Sequence, residues 1–279
     1  KSYQMIADLA KQQKWGGSHT LQFAGFDSKG SPQEALTQLK LAIDQGYRFI
    51  VQGNGSGISL ALIDAINKHN ERNPGKEIMF LNHAAVDPDL TNSKCSFWHF
   101  RFDAHTDMKM EALTDYLARD KSVKKVYIIG QNYSHGQQVT RSAKEDLKQK
   151  RPDVQVVGDD LHPIAQVKDF APYIAKIKAS GADTVITGNW GADLSLLVKA
   201  AKDADLRANF YTFYANSTGV PTAMGASGVD HVKLVFNWHP NNETFAGKDI
   251  TEAFKKKYND DFYISPIYNV VQMLSQAMK

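Results

Sequence analysis

Short apolar runs alternate with helix-like stretches along most of this chain. The run YRFIVQ ends at Gln52, and the similar runs EIMFLN, KVYIIG, TVITG and NFYTFY each follow a helical pattern. Strands separated by helices of this kind predict right-handed β-α-β units and parallel sheets. The runs are almost wholly apolar, as expected where helices cover both faces of a sheet. We therefore predict an α/β fold.

The number of strand-like runs indicates two lobes. About nine strands are many for one open sheet in a chain of 279 residues. The alternation restarts after residues 100–107, and a Pro- and Asn-rich stretch interrupts it at residues 233–245. We predict one lobe from residues 1–103 together with 237–279 and a second from residues 104–236, each a Rossmann-like lobe with a parallel sheet.

Composition excludes several functional classes. The net charge is only +3 and the lysines are scattered, so we expect no nucleic-acid partner. The single cysteine, Cys95, excludes an intrachain disulfide, and the nine histidines show no metal-binding spacing. We expect no metal and no cofactor. The sequence has no apolar run long enough for a membrane span, and it opens without Met or a signal-peptide pattern, as if within a helix.

The loops that follow the predicted strands are the candidate ligand site, because open parallel sheets bind ligands beyond the carboxyl ends of their strands. These loops are residues 53–57, 82–87, 131–136, 188–193 and 214–219. Their candidate ligand-binding side chains are Asn54, Ser56, Tyr133, His135, Trp190 and Tyr214. Hydroxyls and helix N-terminal amides suit a carboxylate, and aromatic rings supply apolar walls. The set predicts a ligand cleft.

Enzyme motifs are incomplete in the same loops. The glycines of GQNYSHG stand one residue too far apart for a phosphate-binding loop, and no lysine follows. Ile58 occupies the place of the third glycine of a dinucleotide fingerprint, and Ser56 lacks the flanking glycines of a nucleophile elbow. An enzyme that uses His135 as its base remains an alternative.

Several segments, in order, resemble the type I periplasmic solute-binding proteins of the branched-chain amino acid (Leu/Ile/Val-binding-like) class, which serve ABC importers. Residues 23–53 resemble the second strand of that family, with its acidic residue at Asp27, and the helix that leads to the first ligand loop. NHAAVDPDLT, QNYSHGQQV and the run from VKDFAPY to TVITG resemble three later segments. The order and spacing of these segments carry the resemblance, which covers nearly the whole chain.

The resemblance implies a function as well as a fold. It implies two α/β lobes joined by a hinge that clamp a small carboxylate, either an amino acid or an aromatic or aliphatic acid. It implies a monomeric receptor in the periplasm or outside the cell, with or without a membrane anchor, whose partner is a membrane permease. It also implies that the family's first strand and part of its C-terminal end are missing here. The same fold serves as the ligand-sensing domain of signalling receptors and regulators, which is a further alternative.

The resemblance assigns roles to single residues. Ser56 and the backbone of Ala84 meet the ligand carboxylate in the first lobe. His135 and Trp190 present rings from the second lobe, where Tyr133 braces the loop or hinge.

Two positions depart from the family pattern. Val86 stands where a threonine is frequent, and Tyr214 stands near an acidic residue that accepts the ammonium of amino-acid ligands. A buried ammonium without an anion is costly. An aromatic or aliphatic carboxylate therefore suits this site better than a zwitterion, unless Asp87 or Asp193 replaces the missing acid.

Overall fold

The computed structural model describes residues 1–239, 247–260 and 265–279. The chain divides into two compact units, Lys1–His105 with Ile264–Lys279, and Thr106–Tyr263. Each unit contains one parallel sheet covered by helices. The α/β class and the parallel sheets predicted from the sequence are confirmed.

Unit 1 is built on a three-stranded parallel sheet in the order β1-β2-β3. Its elements are α1 (Ser2–Gln12), α2 (Pro32–Asp44), β1 (Phe49–Gln52), α3 (Ser56–Arg72), β2 (Met79–Asn82), a 3-10 turn (Pro88–Thr91) and β3 (His99–Arg101), with α10 (Ser265–Ala277) from the end of the chain. Phe80 of β2 packs on one face among side chains of α2 and α3, whereas Leu81 packs with Val270 and Leu274 of α10. Alternate residues of β2 thus enter two separate apolar layers.

Unit 2 is built on a five-stranded parallel sheet in the order β5-β4-β6-β7-β8. Its elements are α4 (Thr106–Arg119), β4 (Lys125–Gln131), α5 (Ser134–Lys150), β5 (Gln155–His162), α6 (Ala171–Ser180), β6 (Thr184–Thr187), α7 (Gly191–Asp203), β7 (Asn209–Thr212), α8 (Val220–Met224), β8 (Val232–Leu234) and α9 (Gly247–Tyr258). All but the first residue of β4 is buried, and every residue of β6 is buried. These two strands form the centre of the sheet.

One expected strand is absent from the described residues. Residues 23–27, expected as a strand by the resemblance, have no ladder hydrogen bonds and belong to neither sheet. A segment counts as a strand only if it pairs with a neighbouring strand. β1 is an edge strand of the unit 1 sheet, and residues 23–27 do not pair with its free edge. The carboxylate of Asp27 accepts a hydrogen bond of 2.8 Å from the backbone N–H of Lys29, as in a turn.

The second boundary differs from the one expected from the sequence. Residues 237–279 were assigned to the first lobe, but the observed division leaves residues 237–263 with unit 2 and only Ile264–Lys279 with unit 1. Helix α9 therefore belongs to unit 2, where Phe254 is fully buried. Residues 240–246, which include the second part of the Pro- and Asn-rich break, and residues 261–264 lie outside the described residues.

Candidate functional site

The strand order of unit 2 creates a switch point between β4 and β6. The chain leaves β4 toward β5 on one side and continues from β6 toward β7 on the other. Loops at such a point diverge and leave a crevice at the carboxyl ends of the strands. The loop after β4 contains Tyr133, and the loop after β6 contains Trp190. Both residues predicted from these loops therefore flank the crevice.

Four of the predicted residues form one ring cluster in unit 2, which we call the aromatic cluster: Tyr133, His135, Trp190 and Tyr214. The indole N–H of Trp190 donates a hydrogen bond of 2.9 Å to the hydroxyl of Tyr133. The ring of His135 makes edge contacts with Tyr133 and Tyr214, with centroids 5.8 and 5.6 Å apart. The cluster joins the carboxyl ends of β4, β6 and β7. The four rings themselves carry no charge, and they give this edge of the sheet a largely apolar surface.

His135 lies inside this cluster rather than on its surface. Its side chain is only 1% exposed. Its Nδ1 is 2.8 Å from the hydroxyl of Thr106, and its Nε2 faces Gly188 without a well-formed hydrogen bond. Burial, followed by the nearby ammonium of Lys109, lowers the pKa of His135 to about 3. The imidazole is therefore neutral at physiological pH, and it holds the two tyrosine rings in place.

Acidification is expected to weaken the fold through His135. In the unfolded chain this imidazole takes up a proton below about pH 6.5, whereas in the folded chain it does so only near pH 3. The stability that the neutral ring contributes is thus complete above pH 6.5 and is lost progressively as the pH falls toward 3. At pH 5 the loss amounts to about 2 kcal/mol. Urea unfolding of the wild type and His135→Gln at pH 7 and pH 5 tests this, and an equal pH dependence in both proteins would contradict it.

The predicted residues of unit 1 lie at the carboxyl ends of the paired strands β1 and β2. Asn54 is exposed and Ser56 is the first residue of α3. Gly53 lies so close to the second loop that an added Cβ would stand 2.5 Å from the backbone N of Ala84. Val86 is 2% exposed and belongs to the interior of the loop. The structure therefore brings the two ligand loops of unit 1 into direct contact.

Asn82 determines the shape of the second loop. Its Oδ1 accepts hydrogen bonds from the backbone N–H groups of Ala84 (3.1 Å) and Ala85 (2.7 Å), and its Nδ2 donates to the carbonyl of Ala85. The Ala84 amide, expected from the resemblance to meet a ligand carboxylate, is already engaged by Asn82. The sequence argument missed Asn82, although a polar residue that ends an apolar strand was a visible signal.

Ser56 links the two loops of unit 1. Its hydroxyl oxygen accepts a hydrogen bond of 3.3 Å from the backbone N–H of Asp87, and its side chain is 3% exposed. The hydroxyl proton can still be donated to another acceptor. The first-turn amides of α3 are not capped by a side chain, because the N-cap residue, Gly55, has none.

Replacing Ser56 by alanine is expected to destabilise the protein by about 1 kcal/mol, because the buried N–H of Asp87 loses its acceptor. The matched control is Ser134→Ala, which changes the first residue of α5, a helix that also follows a strand-end loop. That control is expected to stay within about 0.5 kcal/mol of the wild type. Urea unfolding measures both, and an equal effect of the two substitutions would contradict the assigned hydrogen bond.

Four buried polar side-chain atoms without a hydrogen-bond partner lie at the carboxyl ends of the two sheets: Tyr3 Oη and His83 Nδ1 in unit 1, and Gln131 Oε1 and Asn216 Oδ1 in unit 2. His83 directly follows β2, and its ring contacts that of Tyr3 with centroids 5.5 Å apart. Burial lowers the pKa of His83 to about 4 and raises that of Tyr3. Buried polar atoms are nearly always paired with protein, water or ligand. These four atoms are therefore available to ordered water or to a ligand.

The two acidic residues considered as substitutes for the family's acid already have local partners. One oxygen of Asp87 accepts a hydrogen bond of 3.0 Å from the N–H of Asp89. One oxygen of Asp193 accepts from the side chain of Gln131 (2.7 Å) and from the N–H of Ala165 (2.9 Å). Both carboxylates therefore brace loops of their own unit.

Two further residues beside the aromatic cluster were missed by the sequence argument. Gln131 ends β4 and is 2% exposed. Lys109 is 4% exposed, and its ammonium lies 5.5 Å from the ring centroids of both Tyr214 and Phe236. Like Asn82, Gln131 is a polar residue at the end of an apolar strand, and this position could have identified it from the sequence. Nothing in the sequence distinguishes Lys109, because it lies within an ordinary amphipathic helix pattern.

Neither a metal site nor a membrane helix is found in the part of the chain that the structure describes. Within residues 1–239, 247–260 and 265–279, no group of three or more His, Cys, Asp or Glu side chains could hold a metal ion. Among those same residues, no helix has the length and apolar character needed to cross a membrane.

Comparison with known proteins decides the family. A model of the periplasmic binding protein family matches residues 2–279. This chain belongs to that family. It is 36% identical over 257 residues to the Leu/Ile/Val-binding protein homolog 4 of Brucella abortus, an alignment that covers 90% of this chain and 61% of that protein. The chain therefore spans less than two thirds of that relative's length. The resemblance predicted from the sequence is confirmed.

Solved structures agree with this assignment. The closed conformation of the leucine-, isoleucine-, valine-, threonine- and alanine-binding protein from Brucella ovis matches with a TM-score of 0.82 and 32% identity, over 99% of this chain and 72% of that one. An ABC transporter solute-binding protein from R. palustris in complex with benzoate matches with a TM-score of 0.81 over 99% of this chain and 73% of that one. Its identity of 18% shows a shared fold alone. The fold is that of the type I periplasmic binding proteins.

Proposed function

We propose that this chain is the ligand-binding part of an extracytoplasmic solute receptor, which binds a small carboxylate and presents it to the membrane permease of an ABC importer. The observation that carries the proposal is the placement of four unpartnered buried polar atoms at the carboxyl ends of the two sheets. Family membership and the relative named as a Leu/Ile/Val-binding protein homolog support the receptor role. A monomer in the periplasm is part of the proposal.

The ligand carboxylate binds to unit 1 in this proposal. The uncapped amides at the start of α3 and the hydroxyl proton of Ser56 are the donors. Asn54, Ala84 and Val86 form the surrounding loops, and the amide of Ala84 contributes to loop shape through its bond to Asn82.

The rest of the ligand lies against the aromatic cluster of unit 2. Tyr133, Trp190 and Tyr214 supply the apolar walls, and the buried His135 holds them in position. Tyr214 brings no anion to the cluster, and Asp87 and Asp193 are held by hydrogen bonds within their own units, so the proposed ligand is an aromatic or aliphatic carboxylate rather than a zwitterionic amino acid. Closure of the two lobes on the ligand is part of this proposal, and small-angle X-ray scattering with and without ligand tests it.

Two alternative functions, an enzyme and a ligand-sensing domain, can be compared with the chemistry of the site. An enzyme that uses His135 as its base is disfavoured, because a base whose pKa is about 3 is almost fully unprotonated yet weakly basic, and because the family consists of solute-binding proteins. A ligand-sensing domain of a signalling receptor would use the same binding chemistry. Stimulation of transport by a reconstituted importer distinguishes the receptor from the sensor.

A thermal-shift screen tests the binding function. The panel contains aliphatic acids, aromatic acids, amino acids, short amides and betaines, each at millimolar concentration. A cognate carboxylate should raise the melting temperature, and mass spectrometry should recover it unchanged. Stabilisation by amides or betaines alone would overturn the carboxylate assignment, and a reaction product would overturn the binding function.

A further inference from the structure

Gln131 is a buried polar residue of unit 2 whose side-chain nitrogen has hydrogen-bond partners and whose side-chain oxygen has none. It ends β4 at the switch point, and its side chain is 2% exposed. Its Nε2 donates a hydrogen bond of 2.7 Å to the carboxylate of Asp193 and one of 3.4 Å to the backbone carbonyl of Trp190. Its Oε1 is buried and has no hydrogen-bond partner.

The two bonds made by Nε2 also fix the orientation of the amide. An amide can present either its oxygen or its nitrogen to a given neighbour. Here a rotation of the amide would set its oxygen against the carboxylate of Asp193 and the carbonyl of Trp190, both of which accept hydrogen bonds. Asp193 is itself held by the backbone N–H of Ala165 at 2.9 Å. The orphan atom is therefore an acceptor, the carbonyl-type oxygen.

Burial and the two hydrogen bonds of Nε2 restrain the side chain of Gln131, and the backbone that carries it is also closely packed. The chain from Gln131 to Gly136 turns so tightly that an added Cβ on Gly136 would stand 1.8 Å from the carbonyl oxygen of Gln131. A buried acceptor that cannot move away needs a donor, and an unmet acceptor of this kind costs about 1–3 kcal/mol. The donor is either an ordered water molecule or a group of a ligand that takes the place of the water.

We propose that Gln131 is a specificity-determining residue whose Oε1 accepts a hydrogen bond from the ligand. The ligand is then a small carboxylate that also carries a donor group, either a hydroxyl or an ammonium. This inference rests on the proposed function, and it narrows the ligand class. A site that pairs a buried acceptor with a ligand donor discriminates strongly against analogues that lack the donor.

Two matched series of acids test this assignment by isothermal titration. The aromatic series is phenylacetate, mandelate and phenylglycine, and the aliphatic series is isocaproate, hydroxyisocaproate and leucine. The members of each series differ only in a hydrogen, a hydroxyl or an ammonium on the carbon next to the carboxylate. In at least one series, a donor-bearing member is expected to bind about tenfold or more tightly than the plain acid. Comparison of the hydroxyl and ammonium members identifies the donor.

The substitution Gln131→Met should reduce that preference to near unity while binding of the plain acid persists. Gln137→Met is the matched control, because Gln137 lies on the exposed side of α5, and it should keep the wild-type preference. Equal binding of all members of both series by the wild type, as when a water molecule satisfies Oε1, would overturn this inference and leave the proposed function intact. A preference that survives in Gln131→Met would also overturn it. No binding of any of the six acids would overturn the inference as stated for these two series, whereas the wider thermal-shift panel decides the small-carboxylate function separately.

Discussion

The substitution Gly136→Ala is expected to destabilise the protein by about 3 kcal/mol or more. Gly136 lies in the first turn of α5, and its added Cβ would stand 1.8 Å from the carbonyl oxygen of Gln131 and 3.0 Å from its carbonyl carbon. The obstacle is backbone at the end of the central strand β4, so relief requires displacement of the helix or the strand. Urea unfolding followed by circular dichroism measures the loss.

Gly57→Ala provides the matched control for Gly136→Ala. Gly57 also lies in the first turn of a helix after a strand-end loop, in α3, but no atom lies within 4 Å of its Cβ position. Alanine is favoured over glycine in a helix, so this variant should match or exceed the wild-type stability by up to about 1 kcal/mol. Equal stability of the two variants would show that α5 does not start as close to β4 as described.

Trp190→Ala is expected to weaken ligand binding by about 2 kcal/mol, roughly thirtyfold in Kd. The change removes an aromatic wall at the switch point, and it also removes the indole N–H that holds the hydroxyl of Tyr133 at 2.9 Å. Titration calorimetry with the best carboxylate from the screen measures the loss.

Trp190→Phe separates the two contributions, because it keeps most of the ring surface and loses only the hydrogen bond to Tyr133. The loss of ligand affinity in Trp190→Phe should be smaller than the loss in Trp190→Ala.

Tyr116→Ala is the control for position. Tyr116 lies on α4 away from the aromatic cluster, where it is half-exposed and in ring contact with Tyr211. It should leave the affinity unchanged. Wild-type affinity in Trp190→Ala would mean that the ligand does not bind at this edge of the unit 2 sheet.

The strands and several helices were predictable because their signals are local. The apolar runs KVYIIG and TVITG form most of the strands β4 and β6. Ser31 stands directly before Pro32 at the start of α2, and its Oγ accepts a hydrogen bond of 3.4 Å from the N–H of Glu34, as its residue type indicates. Periodicity and capping chemistry act over a few residues, so one sequence is enough to show them.

The start of α5 was less predictable. Residues 131–136 were expected as a loop, but the helix begins at Ser134, so that His135 and Gly136 belong to its first turn. The N-cap is Tyr133, which makes no capping side-chain bond, and the usual start signal is therefore missing. The missing cap has two consequences. It weakens the sequence signal for the start of the helix, and it leaves the first amides of the helix available to a ligand.

The surroundings of the candidate residues were the least predictable part. The contact between His135 and Thr106 joins positions 29 residues apart, and the bond between Gln131 and Asp193 joins positions 62 apart. Such contacts depend on strand order, and the order β5-β4-β6-β7-β8 is set by crossover connections rather than by any local pattern. The sequence could therefore nominate residues at the strand ends, but it could not separate those that brace the loops from those that face a ligand.

Equilibrium titration of the purified chain with small carboxylates tests directly whether this protein is a carboxylate receptor. We predict saturable binding of at least one such acid with one site per chain, and recovery of the acid chemically unchanged. Binding should weaken in Trp190→Ala and persist in Tyr116→Ala. Failure of every aliphatic, aromatic and amino acid to bind the folded chain, or conversion of the acid to a product, would contradict it.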